Sequence, residues 1–472
     1  MHGHRSPDGH RARTISNPLL LLLLSVAQLM VILDISAVNV ALPDLAGDLG
    51  LARGDLGWTI TSYSLVFGSL LLLGGRAADL LGRRRMFLAG LAVFTASSLA
   101  AALAGDAAML FAARAGQGLG AAMLSPAALS IITTSFHGAE RARALAVWGA
   151  VGGAGAAIGV LLGGALTELV SWRAIFFINL PVGAVVAAGA MHIVPAGRDS
   201  ARWSGLDLRG AVLATAGIAG LVYALSQAET AGWTSARTLG VGSVALLVLA
   251  LFATLELRTA TPLLRVQRLA DRAVGGGFLM MLTASAVMFG SFLLSSLYLQ
   301  TVLGTGALET GLAFVPFAAV IGVGVHVARQ LIERLGVRIP MAAGFAVTAG
   351  GLLVLSSVSA DGSYVADVLP GMLIVGLGLG TILVAATVSV LTGAADEESG
   401  MLSGLNTTGH EVGGSLGIAV LATIATGAAG IGDAFLLAAA VAAVGSLVAL
   451  VILPSARHFL PKLALTPHIA VH

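Results

Sequence analysis

Long apolar segments recur along the whole chain and are separated by short polar stretches. About twenty apolar residues are enough for an α-helix to cross the hydrocarbon core of a bilayer. The first segment, residues 19–42, is too long for the apolar part of a signal peptide and lacks a small-residue cleavage site, so we count it as a transmembrane helix. The other thirteen fall near residues 57–75, 86–104, 108–134, 144–169, 173–194, 206–227, 238–256, 274–300, 308–328, 339–358, 364–391, 403–428 and 431–453.

The longer polar stretches divide these fourteen predicted transmembrane helices into a set of six, a pair and a second set of six. We therefore predict an all-α integral membrane protein in which two intervening helices separate two six-helix bundles. The predicted divisions are an N-terminal tail (1–18), a first bundle (19–194), a linker with two helices (195–272), a second bundle (273–454) and a C-terminal tail (455–472).

Positive charges are concentrated in alternate loops. If the N-terminus is cytoplasmic, most Arg and Lys side chains lie inside, and only Arg53, Arg173 and Arg237 lie outside. Cytoplasmic loops of membrane proteins carry such an excess. We therefore expect a multi-pass protein of the inner (plasma) membrane with both termini in the cytoplasm.

Composition narrows the classes of function. The chain is 57% hydrophobic and 10% charged, where soluble chains carry roughly 25% charged residues. The sequence has no cysteine, which excludes disulfides, thiolate nucleophiles and cysteine-bound metals. The small net charge fits membrane orientation better than nucleic-acid binding. With no P-loop or H-E-x-x-H motif, we expect no cofactor, no metal and no enzymatic activity, so transport would draw on a gradient.

An internal repeat relates the two bundles. Residues 75–84 are echoed by residues 329–338, and each copy is followed by another glycine, Gly90 or Gly344. A second echo pairs Gly116, Gly118 and Gly120 with Gly376, Gly378 and Gly380. Parallel repeats related by an axis along the membrane normal are typical of transporters whose halves rock around a central cavity. The repeat predicts pseudo-two-fold symmetry and favours transport.

Several stretches resemble a known family. Residues 33–43 read L-D-I-S-A-V-N-V-A-L-P, residues 75–84 read G-R-A-A-D-L-L-G-R-R, and residues 113–120 read A-R-A-G-Q-G-L-G. They are similar to motifs of the major facilitator superfamily. The first resembles the signature of its fourteen-helix drug:proton antiporter branch, with Ser36 in place of the usual Thr. The resemblance covers nearly the whole chain and implies a proton-coupled exporter of drugs or antibiotics that works by alternating access.

Two other stretches depart from the family pattern. The glycine-rich segment from Trp148 to Gly164 resembles the antiporter motif of helix 5, but Val160 stands where that motif has proline. Residues 406–414 resemble a stretch typical of the branch, with His410 and Glu411 in place of Arg-Gln or Gln-Gln.

Asp34 and Arg114 are the candidate proton-coupling residues. Asp34 lies about fifteen residues into helix 1, at a depth where a lipid-facing charge is costly and ionisable residues are commonly functional. Burial raises a carboxyl pKa and a nearby cation lowers it, so a proton and a substrate can compete for one site. Arg114 stays charged and would tune a neighbouring carboxyl. The alternatives are a packing role for Asp34 and a tether to helix carbonyls for Arg114.

A conformational latch is the second candidate feature. An acidic residue at fixed spacing in both repeats suggests a charge contact that holds the halves together in one conformational state, as the family motif implies. The alternative is a tight turn whose arginines only set membrane orientation. The residues concerned are Gly75, Asp79, Gly82, Arg83, Arg84 and Glu333.

Gly155, Gly159 and Gly163 recur every fourth residue in helix 5 and predict a bare stripe for close helix packing. Without proline at Val160, a fixed kink in this helix is not expected. Glu168, near the outer end, fits an interfacial position better than a coupling site.

His410 and Glu411 form a possible second protonation site, since histidine titrates near neutral pH. Their side chains are about 100° apart around a helix, so both should not point fully into one cavity. A satisfied packing pair is the alternative.

Few other polar residues lie within the predicted spans. Those assigned to the substrate cavity are Asn39, Gln117, Asn179 and Asn406. This sparse set favours an amphipathic or hydrophobic substrate over a polar metabolite, which is the alternative within transport. A membrane sensor or enzyme is the alternative outside it. The expected partners are a drug-like small molecule, protons and the lipid bilayer, with the monomer as the functional unit.

Overall fold

The computed structural model describes residues 18–51, 56–136, 138–194, 207–395, 398–425 and 427–464. All regular structure in these ranges is helical. The α-helices are α1 (Pro18–Leu49), α2 (Leu56–Leu81), α3 (Arg83–Ala102), α4 (Ala107–Ser135), α5 (Gly138–Leu169), α6 (Arg173–Phe177), α7 (Asn179–Ile193), α8 (Leu208–Ala231), α9 (Ala236–Glu256), α10 (Val274–Leu297), α11 (Ala307–Ala313), α12 (Val315–Leu335), α13 (Arg338–Leu355), α14 (Leu369–Leu391), α15 (Ser399–Ile424), α16 (Gly427–Ile452) and α17 (Ala456–Ala464). Residues 1–17 of the predicted N-terminal tail, residues 195–206 at the start of the linker and residues 465–472 of the predicted C-terminal tail lie outside the described residues.

Within the described residues, twelve helical segments are long and apolar enough to cross a membrane. The predicted fourteen spans are therefore not confirmed by this count. The two remaining long helices are α5, whose apolar part is Ile158–Leu169, and α15. Polar residues, including His410 and Glu411, lower the hydropathy of α15.

The helices form two groups, α1–α7 and α10–α17, with the hairpin α8–α9 between them in the sequence. The two groups share one pattern of helix pairing. In the first group, α4 packs against both α2 and α3, while α1 packs against α5. In the second group, α14 packs against both α12 and α13, while α10 packs against α15. One large apolar cluster runs through both groups.

Glycines named by the sequence repeat allow matching close approaches. A Cβ atom at Gly90 of α3 would lie 2.7 Å from the carbonyl oxygen of Gly120 in α4. A Cβ atom at Gly344 of α13 would lie 3.1 Å from the carbonyl oxygen of Gly378 in α14. Because ordinary Cβ contacts are longer, these positions favour glycine.

The hairpin formed by α8 and α9 lies beside the seam between α2 and α15. Helix α8 packs against both of these helices, and α9 packs mainly against α8. The chain then passes through a 3₁₀ turn, Val266–Ala270, into α10.

Candidate functional site

A buried hydrogen-bond network surrounds Asp34 in the middle of α1. Arg114 and Gln117 lie one turn apart on α4 and so share a face of that helix. Arg114 Nη1 donates to Asp34 Oδ2 and, at 2.9 Å, to Gln117 Oε1. Gln117 Nε2 donates to Asp34 Oδ1 at 2.7 Å. Asp34 and Arg114 are each only 1% exposed, so this ion pair is shielded from solvent.

Two further helices complete the shell of Asp34. Asn179, the first residue of α7, donates from Nδ2 to Asp34 Oδ1 at 3.1 Å. The same amide reaches Ser98 Oγ of α3 at 3.2 Å, and Gln117 Nε2 donates to that hydroxyl at 2.8 Å. The sequence analysis missed Ser98, because a serine within an apolar helix belongs to no motif.

The guanidinium of Arg114 has partners beyond Asp34. Its Nε donates to the carbonyl oxygen of Thr59 in α2 at 3.0 Å. Its Cζ lies 4.6 Å from the ring centroid of Tyr63 and 5.9 Å from that of Phe176. A buried ion pair is tolerated only when other groups satisfy its remaining donors and acceptors. The shell therefore holds both charges in one geometry, and adding a proton to Asp34 would disrupt it.

A cavity of about 90 Å³ lies between the two groups of helices. Its wall is mostly apolar. Residues from α1, α2, α4 and α5 form one side, and residues from α10, α14 and α15 form the other: Gln28, Val31, Ile32, Ile35, Ser36, Phe67, Ser125, Trp148, Gly149, Gly152, Met281, Phe289, Leu383, Thr387, Asn406, Thr407, His410 and Glu411.

The predicted cavity residues divide between these two places. Asn406 lines the cavity, whereas Gln117 and Asn179 bind Asp34 and are absent from the wall. Both amides donate to the Asp34 carboxylate because α4 and α7 both pack against α1. Asn39 lies in α1, but its side chain falls outside the described residues.

His410 and Glu411 both line the cavity, although they are adjacent on α15. His410 Nδ1 lies 2.7 Å from Ser285 Oγ, and its ring stacks at a tilt on Phe289. The Glu411 carboxylate has no hydrogen bond or ion pair within the described part of the chain. Both side chains reach the cavity although they lie about 100° apart around α15, because the His410 ring packs against Ser285 and Phe289 of α10.

The glycine stripe of α5 packs on α1, the helix that carries Asp34. A Cβ atom at Gly163 would lie 2.6 Å from Ala37 Cα, and one at Gly155 would lie 2.9 Å from Ile32 Cγ2. A Cβ atom at Gly159 would overlap the Ser36 hydroxyl. Helix α5 runs without a break through the buried residue Val160. Glu168 is exposed near the end of the helix.

The predicted latch loop joins the two groups of helices. Asp79, at the end of α2, accepts hydrogen bonds from the backbone N–H groups of Gly400 at 2.9 Å and Met401 at 3.0 Å. These N–H groups begin α15, where they have no partner within the helix and carry partial positive charge. Arg83 also pairs with Asp79, at 3.5 Å. We name the side of the molecule that carries this contact the α2–α3 face.

Neighbouring contacts reinforce this junction. A Cβ atom on Gly75 would overlap the carbonyl oxygen of Gly400. Ser399 Oγ lies 3.0 Å from Ser130 Oγ and 2.6 Å from Thr133 Oγ1. Gly82 turns the chain into α3 with a φ of 100°, a conformation that favours glycine.

The remaining latch residues do not bridge the two groups. Arg84 binds the carbonyl oxygen of Met191 within the first group. Glu333 is exposed at the end of α12 and shows no contact like that of Asp79 within the described residues. Glu333 therefore does not repeat the contact of Asp79 in this conformation. On that side, Arg141 of α5 instead donates to the carbonyl oxygen of Leu391 at 2.9 Å.

Glu398, which the sequence reasoning also missed, precedes α15. Its carboxylate accepts hydrogen bonds from Arg265 at 2.7 Å and from Arg268 Nε at 3.1 Å. Both arginines belong to the segment that follows α9, so the start of α15 is held by this segment as well as by Asp79.

Comparisons with known proteins agree with this architecture. The chain is 39% identical to the puromycin resistance protein of Streptomyces alboniger, over 86% of this chain and 82% of the relative. It is 40% identical to the cephamycin export protein of Amycolatopsis lactamdurans, over 89% and 87%. It is 34% identical to the multidrug resistance protein Stp of Mycobacterium tuberculosis, over 84% and 73%.

Solved structures show the same fold at low sequence identity. A crystal structure of the human organic anion transporter MFSD10 matches with a TM-score of 0.66 and 16% identity, covering 92% of this chain and all of that one. The proton:xylose symporter XylE matches with a TM-score of 0.68 and 12% identity, covering 95% and 98%. Residues 24–418 match the Major Facilitator Superfamily. The chain is therefore a multi-pass membrane protein that belongs to the Major Facilitator Superfamily.

Proposed function

We propose that this protein exports amphipathic or hydrophobic small molecules, such as antibiotics, across the plasma membrane in exchange for protons. The observation that carries the proposal is the buried Asp34–Arg114 pair, in a chain whose relatives include antibiotic resistance and export proteins. The largely apolar wall of the central cavity supports an amphipathic or hydrophobic substrate.

Asp34 carries the proton in this mechanism. When it is ionised, Arg114, Gln117 and Asn179 satisfy its two oxygens. A proton on Asp34 removes the negative charge and leaves Arg114 without a counter-ion, so the helices around it must rearrange. Tyr63 lies against Arg114 and also packs on Phe67, which lines the cavity. It therefore links the network to the cavity wall, where Glu411 or His410 provides a second protonation site.

Alternating access would open the cavity to each face of the membrane in turn. The contact of Asp79 with the start of α15 closes the α2–α3 face, and opening that face requires the contact to break. Gly75 permits the close approach, and Gly82, Arg83 and Arg84 set the turn. Binding of the proton and of the substrate supplies the free energy that breaks this contact.

The membrane topology follows from helix length and charge. Helices α5 and α15 have 32 and 26 residues, enough to cross a bilayer, so we include them as spans and obtain fourteen. From the excess of Arg and Lys in alternate loops, we propose that the α2–α3 face and both termini lie in the cytoplasm. Because the cavity and the Asp34 network lie within a single chain, the monomer is the functional unit.

Reconstituted vesicles test the coupling. Vesicles with an acidic lumen are supplied with an amphipathic dye outside, and dye uptake is measured together with the release of protons. We expect the wild type to exchange dye for protons and Asp34→Asn to reduce this exchange to background. Asp44→Asn is the matched control, because Asp44 lies on the same helix and is exposed. Exchange by Asp34→Asn at the wild-type rate would disprove the mechanism.

A further inference from the structure

Three buried polar atoms in the cavity wall have no hydrogen-bond partner within the described residues. They are Gln28 Oε1 on α1, Ser125 Oγ on α4 and Asn406 Oδ1 on α15. The three side chains are 9%, 0% and 4% exposed, respectively. They come from both groups of helices and meet at one cavity.

Two hydroxyl groups of the same wall already have partners within their own helices. Ser36 Oγ donates to the carbonyl oxygen of Ile32 at 2.8 Å. Thr407 Oγ1 donates to the carbonyl oxygen of Ser403 at 3.0 Å. Gln28, Ser125 and Asn406 therefore differ from these two hydroxyl-bearing residues of the same wall.

A buried polar group without a partner is destabilising, and that cost is recovered when a ligand supplies the missing hydrogen bond. A site built to hydrogen-bond a hydroxyl or N–H group rejects an analogue that lacks it far more strongly than an apolar pocket rejects an extra methylene. The amide oxygens of Gln28 and Asn406 are acceptors, and the Ser125 hydroxyl can accept as well. The ligand group that satisfies all three is a donor.

We infer that Gln28, Ser125 and Asn406 form a substrate subsite that selects amphipathic molecules bearing N–H or O–H donors, such as amines, amides or hydroxyls, at one end. The apolar remainder of the molecule lies against the hydrophobic wall, which includes Ile35 and Phe67. This inference rests on the proposed export function and specifies its substrate class. The carboxylate of Glu411 lines the same cavity and adds a further acceptor.

Two dyes that differ in N-methylation test the subsite. Rhodamine 123 has unmethylated amino groups, and tetramethylrhodamine methyl ester has the same cationic ring system with every N–H replaced by N–CH₃. Initial export rates from cells or vesicles give KM for each dye. We expect the wild type to export rhodamine 123 with a KM at least about tenfold lower, as one or more buried hydrogen bonds would provide.

The variants Gln28→Leu, Ser125→Ala and Asn406→Leu should each raise the KM for rhodamine 123 severalfold and change that for the methylated dye less, so that the ratio of the two KM values falls toward one. Export of the methylated dye also shows that the variant is folded. Thr408→Val is the matched control, because Thr408 lies two residues from Asn406 on α15, is absent from the cavity wall, and its hydroxyl is satisfied by its own helix. It should preserve the discrimination.

Three outcomes would overturn the inference. The wild type could export the two dyes equally, it could export neither dye, or the variants could lose export of both dyes equally. Proton coupling is judged separately. If Asp34→Asn still exchanges dye for protons while the discrimination between dyes persists, the coupling mechanism fails and the subsite stands. If coupling depends on Asp34 but the dyes are treated alike, only the subsite fails.

Discussion

Asp34 and Glu411 are carboxyl side chains in the interior of the molecule, one in each group of helices, and their surroundings are opposite. Three side chains donate to Asp34, and one of them is a cation. Glu411 lines the cavity with no hydrogen bond or ion pair among the described residues. The two groups repeat one arrangement of helices, but the surroundings of their interior carboxyl groups differ. The first holds a fixed charge pair, and the second leaves an acceptor available to a ligand or a proton.

Breaking the charge pair should have the largest effect. Arg114→Met leaves Asp34 buried without its cation, and truncation of one partner of a buried pair costs about 3–5 kcal/mol. Glu411→Gln removes no partner, so we expect stability to change by less than about 1 kcal/mol. Tryptophan fluorescence during thermal unfolding in detergent measures both variants.

The double variant Asp34→Asn/Arg114→Met is the control for this prediction. It removes both charges and should recover part of the stability lost in Arg114→Met, because no unpaired charge remains. If Arg114→Met and Glu411→Gln lower the unfolding temperature equally, the contrast between paired and unpaired carboxyls is wrong.

The turns at the ends of α2 and α12 extend the comparison. Asp79 binds the first N–H groups of α15 across the seam, whereas Glu333, at the equivalent point of the repeat, is exposed. A repeated sequence therefore does not ensure a repeated contact. In this conformation, Glu333 makes no contact like that of Asp79 within the part of the chain that the structure describes.

Asp79→Asn should open the α2–α3 face. The variant removes a charge from two backbone hydrogen bonds, each worth about 1.5–3 kcal/mol with a charged acceptor, so we expect at least about a tenfold shift in population. The chain has no native cysteine, so Thr387→Cys in the cavity wall provides a single labelling site. Labelling by an impermeant maleimide from the α2–α3 face should accelerate accordingly.

Glu333→Gln is the matched control for Asp79→Asn, since both changes neutralise the acidic position of the same motif. We expect labelling of Thr387→Cys to be unchanged in Glu333→Gln. Equal acceleration in the two variants would show that lost surface charge, and not the contact with α15, controls access.

The sequence predicted helices well and tertiary partners poorly. The predicted span 108–134 matches α4 (Ala107–Ser135). The predicted span 57–75 is too short, because α2 continues through Arg76 and Asp79 to Leu81. These polar residues are helical because they lie at the seam with α15. Hydropathy detects lipid-facing surface, so it cannot distinguish a polar residue in a loop from one at an interface between helices.

The candidate residues show the same limit. Spacing and motifs identified Asp34, Arg114, Gln117 and Asn179, but the fact that the two amides bind Asp34 depends on how α1, α4 and α7 face one another. The partner of Asp79 is a pair of backbone N–H groups, which leave no side-chain signal in the sequence.

The smallest expected effect concerns Glu398, the carboxyl that precedes α15 in the second group. Burial alone would raise the pKa of Glu398, but the hydrogen bonds and charges of Arg268 and Arg265 outweigh it and hold the pKa below its ordinary value of 4.5. Because the folded-state pKa is lowered, the stabilisation is complete above pH 4.5 and is lost as the pH falls through the lowered pKa. The arginines are partly exposed, so the pair should contribute less than about 1 kcal/mol.

Hydrogen exchange of the segment 257–273 measures this contact. At pH 7, Glu398→Gln should increase exchange in that segment by up to about fivefold, the factor that corresponds to a contribution below 1 kcal/mol. The difference from the wild type, corrected for intrinsic rates, should persist at pH 5 and vanish when Glu398 becomes protonated below its lowered pKa. Glu333→Gln removes an exposed carboxyl from the same group of helices and should change nothing at any pH. A difference between Glu398→Gln and wild type that is constant down to pH 2 would mean that packing, and not the ion pair with Arg265 and Arg268, holds the segment against α15.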